Sequence, residues 1–133
     1  MEKKFINPPT LATPRGYTHA VTATSGKMIF IAGQVAWDVK GEIVGKGDLR
    51  AQATQAYTNL KAALAAAGAA TADVVKMNTY VVSFKSADLP VIREVRSQFF
   101  PQENLPASTL VGVQALAMDG LLIEIEAIAM VKE

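Results

Sequence analysis

Two periods of apolar and polar positions divide this chain into strands and helices. Residues 20–24 and 27–35 are rich in β-formers, and Ser25-Gly26 between them is a good turn pair, which predicts an antiparallel hairpin at the start of the fold. A polar loop punctuated by Gly41, Gly45 and Gly47 follows, and Asp48 is suited to accept from the free amides of a helix that should end at Gly68. Within that helix Leu49, Ala53, Ala56, Leu60, Leu64 and Ala67 recur at spacings of three and four. They form one apolar stripe facing a sheet, with Gln52, Gln55, Asn59 and Lys61 off the stripe.

Residues 74–82 predict a third strand, since Val74, Val75, Tyr80, Val81 and Val82 favour extended backbone. The next helix is predicted with Ser86 as its cap, Pro90 in its first turn, and Leu89, Ile92, Val95 and Phe99 on its buried side. Pro101 and Pro106 stop it. Residues 108–116 and 121–131 predict two more strands, joined by a turn at Met118-Asp119-Gly120. The order is β-β-α-β-α-β-β, an α+β fold with two helices on a mixed sheet. With 133 residues, half of them apolar, a single domain spanning 1–133 is the expectation.

Charge and composition exclude several classes of function. The 13 Lys and Arg against 12 Asp and Glu give a net charge of +1, which is no footprint for gripping phosphate backbones, so nucleic acid is not an expected partner. With no cysteine and only His19 as an imidazole, the chain has no ligand cluster for a transition metal, and no metal or other cofactor is expected. Gly45-Lys46 fails as a P-loop because no glycine lies five residues before Gly45, and Gly47 stands where a Ser or Thr would hold magnesium. Charged residues interrupt every apolar run before it reaches membrane-spanning length, and the first nine residues carry no secretory pattern. No membrane partner is expected, and the cytoplasm is the expected compartment. A charged fraction of only 19% predicts that some apolar surface is covered by self-association.

The candidate chemistry is concentrated in a few side chains. Glu124 and Glu126 are two apart in the last strand, so both point to one side of the sheet, about 6.6 Å apart along the strand. Ile123, Ile125, Ala127 and Ala129 take the other, apolar side. The two acids fit either a solvated or subunit-facing surface with ion pairs, or a carboxylate able to orient water. Arg93 and Arg96, at i and i+3, share one helix flank, and Arg15 lies just ahead of the first strand, where a loop can reach a pocket. Each arginine also fits ordinary surface charge. His19 reads as a hydrogen-bonded structural residue, and Trp37 as core or subunit interface.

The ordered set Tyr17, Ile31-Ala32-Gly33-Gln34-Val35, Ala66-Ala67-Gly68, Pro106-Ala107-Ser108-Thr109 and Glu124-Ile125-Glu126-Ala127-Ile128-Ala129 resembles the Rid family, also called YjgF or L-PSP. The resemblance runs from about Asn7 to Val131. It implies a chorismate-mutase-like fold of about six strands on two helices, assembled as a homotrimer with small-molecule pockets at the subunit interfaces. In the family's imine-hydrolysing members an arginine follows the Pro-Ala pair and forks onto a substrate carboxylate, while a tyrosine and a glutamate of the final strand line the reacting end. Tyr17 and Glu124 match the last two as candidate catalytic residues, and Gly33, with Ala32 beside it, matches the backbone segment of the pocket. Ser108 stands where the arginine would be, after Pro106 and Ala107. The expectation is therefore that Arg93, Arg96 or Arg15 supplies the anion clamp, with Ser108 and Thr109 offering hydroxyls. Three functions stay open: a cofactor-independent enamine or imine hydrolase acting on a small carboxylate or related C–N compound, a non-catalytic sensor of a small acid, and a ribonuclease or translation inhibitor. The charge balance counts against the third.

Overall fold

The computed structural model describes residues 1–133. Its strands are β1 (Lys3–Ile6), β2 (Ala20–Ala23), β3 (Lys27–Gln34), β4 (Val74–Val82), β5 (Ala107–Val113) and β6 (Ile123–Val131), and its helices are α1 (Leu49–Ala66) and α2 (Asp88–Ser97). The main sheet has the order β3-β6-β4-β5. β6 is antiparallel to both of its neighbours, and β4 runs parallel to β5 with α2 as the crossover, the connection that a parallel pair needs. The α+β class with two helices is as the sequence predicts, and the six strands are the number that the Rid resemblance implies, one more than the periodicity shows.

The start of the fold differs from the sequence reading. Strands β2 and β3 do not form a hairpin across Ser25-Gly26. β2 pairs with β1, a strand not foreseen, in a separate two-stranded sheet, and β3 pairs with β6. Gly26, at φ +115°, turns the chain from one sheet into the other. Likewise β5 and β6 are not direct partners, because β4 lies beside β5 and β6 follows on its other side. The second helix begins at Asp88 without a side-chain cap from Ser86.

Alternation along the strands sorts the main sheet into two faces. Ile29 and Ile31 of β3, Met77 and Val81 of β4, and Ile123, Ile125, Ala127 and Ala129 of β6 are buried on the face covered by α1, which offers Ala53, Ala56, Tyr57, Leu60 and Leu64. α2 packs beside α1 and adds Ile92 and Val95. Asp48 caps α1, accepting from the Ala51 N–H at 3.0 Å, and Gly68 ends it at φ +85°. The other face carries exposed Met28 and Phe30, the latter 69% accessible.

Tyr57 is fully buried, stacked on Phe99 and edge-on to Phe100, yet its hydroxyl has no hydrogen-bond partner. Burial pushes this phenol up to about 12, with the Arg96 charge pulling the other way. An orphaned buried hydroxyl is a net cost, so Tyr57→Phe should stabilise the protein by about 1 kcal/mol, read as a rise in Tm of a few degrees.

Candidate active site

The second helix brings two guanidiniums to one place. Arg93 and Arg96, one turn apart on α2, line a cavity of about 270 Å³ together with Arg15, Tyr17 and Ser108, over an apolar floor of Phe84, Leu89 and Leu110. The cavity lies at the β5 edge of the sheet, on the helix side. Ser108 pairs in register with buried Met77, and Leu110 with buried Thr79, so both face the helices.

The loop carrying Arg15 and Tyr17 is fastened to the same strand. Pro106 is buried and its carbonyl accepts from the Thr18 N–H at 3.0 Å, while Ala107 bridges Thr18. Pro106 and Ala107 thus position the loop and do not line the cavity. Gly16 has φ +77°, and a Cβ there would overlap the Arg96 guanidinium, so only glycine lets the loop close over that side chain. Arg93 Nη2 donates to the Arg15 carbonyl at 3.5 Å. His19, edge-on to Tyr17, has Nε2 at 2.7 Å from the Ala12 carbonyl, the structural role expected of it.

The three arginines have no acidic counterpart. The ion pairs of the chain are Lys3–Asp73, Lys4–Glu2 and Arg50–Glu94, all elsewhere. Burial lowers the Arg96 pKa from its usual value, Tyr57 pulls part of the way back, and the Arg93 charge adds a smaller push downward. A half-buried guanidinium flanked by other cations is a site that an anion stabilises.

The acids predicted on the last strand are on the opposite face of the sheet. Glu124 pairs in register with Tyr80 and Glu126 with Asn78, in the row that alternates with the buried residues. Glu126 accepts from the Tyr80 hydroxyl, which raises the Tyr80 pKa, chiefly through that bond. Glu124 lies over the backbone of β3, where a Cβ on Gly33 would overlap its carboxylate. Ala32 and Glu126 line a second cavity of about 400 Å³ on this face, with Phe30, Lys76 and Asn78. Thr109 also faces this side, accepting from Lys76 Nζ at 2.9 Å, and so offers no hydroxyl to the arginine cavity.

Comparison with known proteins identifies the architecture. The family model described as Endoribonuclease L-PSP matches residues 9–131. The chain belongs to this family, the Rid proteins. It is 36% identical over 131 residues, 98% of each chain, to a 2-iminobutanoate/2-iminopropanoate deaminase of Dermatophagoides farinae. It is 44% identical over 114 residues, 85% of each chain, to a RutC family protein of Pyrococcus horikoshii. Among solved structures, a Rid family protein of unknown function from Yersinia pestis superposes with a TM-score of 0.92 at 47% identity, covering 98% of this chain and 100% of that one.

Within this Rid chain the predicted site residues thus fall into two groups. Tyr17, Ser108, Arg15, Arg93 and Arg96 come together on the helix side of β5. Glu124, Gly33 and Ala32 gather on the other face, beyond β4. Sequence reasoning missed Phe84, whose only signal was an aromatic residue just past a strand end, and Leu110, whose inward direction depends on the register of β5.

Proposed function

We propose that this Rid protein hydrolyses the C=N bond of small 2-imino acids, including those formed from enamines, without a cofactor, in a pocket completed between subunits of a homotrimer. The observation that carries this reading is the convergence of three unpaired guanidiniums on one cavity beside Tyr17. A guanidinium holds a carboxylate by two parallel charge-assisted bonds, which fixes the adjacent C=N carbon for attack. The deaminase name of the mite relative supports the same chemistry.

In this reading the arginines and Tyr17 of one chain meet Glu124 of a neighbour. Support comes from the uncovered apolar side chains Met28, Phe30 and Val111 on the Glu124 face, which association would bury. Glu124 accepts a proton from water as the oxygen bonds to the imine carbon. It then returns that proton to the nitrogen of the carbinolamine. Transfer of the hydroxyl proton to the nitrogen, with cleavage of the C–N bond and formation of the C=O bond, releases ammonia and a keto acid, so no redox partner is needed.

The division of Glu124 from the arginine cavity within one chain favours a second reading, binding of a small acid without turnover. Freshly generated 2-aminoacrylate separates the two. Ammonia release well above the spontaneous rate, from a species sedimenting as a trimer, is the expected result. A monomer, or binding with no acceleration, would sink the hydrolase reading and leave the sensor.

A further inference from the structure

A single carboxylate can occupy the fork of one arginine, and this cavity has three. Neither Arg15 nor Arg96 has a side-chain hydrogen bond to any acceptor in the chain, and Arg93 has only the long contact to the Arg15 carbonyl. Arg96 is half-buried, so its orphaned donors are not simply exchanged for water as they would be on an open surface.

The shape of the site adds a second observation. Arg93 and Arg96 also border a smaller neighbouring cavity of about 140 Å³, which is lined by Gly16, Ser97 and Gln102 among others. The larger chamber has the apolar floor and holds Tyr17 and Ser108. The smaller sets the polar side chains of Ser97 and Gln102 beside Phe100 and Leu105. The two arginines therefore form a wall with cationic donors toward both chambers. One anionic group in each would neutralise charges that otherwise repel one another at close range.

We propose that this cavity selects a small 2-imino acid with a second anionic group, a carboxylate or a phosphate, at the far end of a short carbon chain. This rests on the imine-hydrolase reading for its chemistry and names the substrate class of the same site. The 2-carboxylate and C=N lie over the Phe84, Leu89 and Leu110 floor near Tyr17, and the second acid reaches the Arg96 side.

Stable keto acids test the selection without turnover. Calorimetric titration at low chloride should show 2-oxoglutarate, 3-phosphohydroxypyruvate or both binding at least about tenfold tighter than pyruvate, the minimum expected for one added charge-assisted pair. The tighter of the two assigns the second group as carboxylate or phosphate. Arg96→Gln should remove that advantage, bringing the ratio of dianion to pyruvate affinity down to about one. Should Arg96→Gln misfold by circular dichroism, Arg15→Gln on the exposed loop serves the same comparison, with a reduced advantage expected. Equal affinity for all three acids in the wild-type protein overturns the proposal, and so does an advantage that survives both variants. Because the readout is binding, a preference for the dianions with no imine hydrolysis leaves the proposal standing and removes only the hydrolase reading. Hydrolysis of 2-iminopropanoate with no such preference does the reverse.

Discussion

Glu124→Gln is expected to lower the turnover number for ammonia release about 100-fold or more, with little change in the affinity for keto acids. The amide is isosteric, so it still fits over Gly33, where there is no room for a displaced side chain. It cannot accept a proton from water, and losing a positioned general base typically costs 10²- to 10⁴-fold. Glu126→Gln is the control. Its carboxylate is engaged by the Tyr80 hydroxyl, so it is not free to act on water, and its replacement should cost less than about tenfold. Steady-state kinetics on both variants checks the assignment. Equal losses would mean that the acids act as a pair or support the interface, and a Glu124→Gln enzyme with full turnover would remove Glu124 from the mechanism.

The difference between the two acids is visible only in three dimensions. Their i, i+2 spacing was enough to put both on one face, because a strand alternates with period two. What distinguishes them is the partner across the sheet: Tyr80 bonds to Glu126, while Gly33 admits Glu124. Partner choice between strands is long-range information. The same gap explains the hairpin that does not form, since Ser25-Gly26 satisfies the local requirements of a turn whether or not the flanking strands pair. It also hid the separation of Ser108 from Glu124, which follows from β4 lying between β5 and β6. β1 is only four residues long and alternates too briefly to stand out.

Local physics was readable where it was sufficient. Asp48 caps α1 as expected, and helical periodicity by itself puts Arg93 and Arg96 on one flank. That Arg15 joins them depends on the path of a loop through Gly16 and on its anchor at Pro106, the contacts Gly16–Arg96 and Thr18–Pro106 being 80 and 88 residues apart in sequence.

Gln52 is the residue for which helical periodicity misleads most, and it leads to the largest expected loss of stability. The apolar stripe leaves it out, yet it is as buried as Leu60. Its Nε2 donates to the carbonyls of Gly45 (3.2 Å) and Gly120 (2.9 Å), and its Oε1 accepts from the Leu122 N–H at 2.9 Å. One amide thereby ties the loop before α1 to the turn before β6, satisfying backbone groups that have no strand partner. Gln52→Leu keeps the volume but strips all three; the Gly45 carbonyl keeps the Asp48 N–H at 3.0 Å, while groups left unpaired cost about 1–3 kcal/mol each where water cannot replace the bond. Because the Gly120 turn is exposed and can rehydrate, a total of about 3 kcal/mol is expected, or a fall in Tm of about 10 °C. Lys61→Leu, at an exposed position equally off the stripe, should stay within about 0.5 kcal/mol. Thermal melts of the two variants side by side check this. A Gln52→Leu protein as stable as the wild type would mean that the loops rehydrate freely and that the three bonds contribute nothing net.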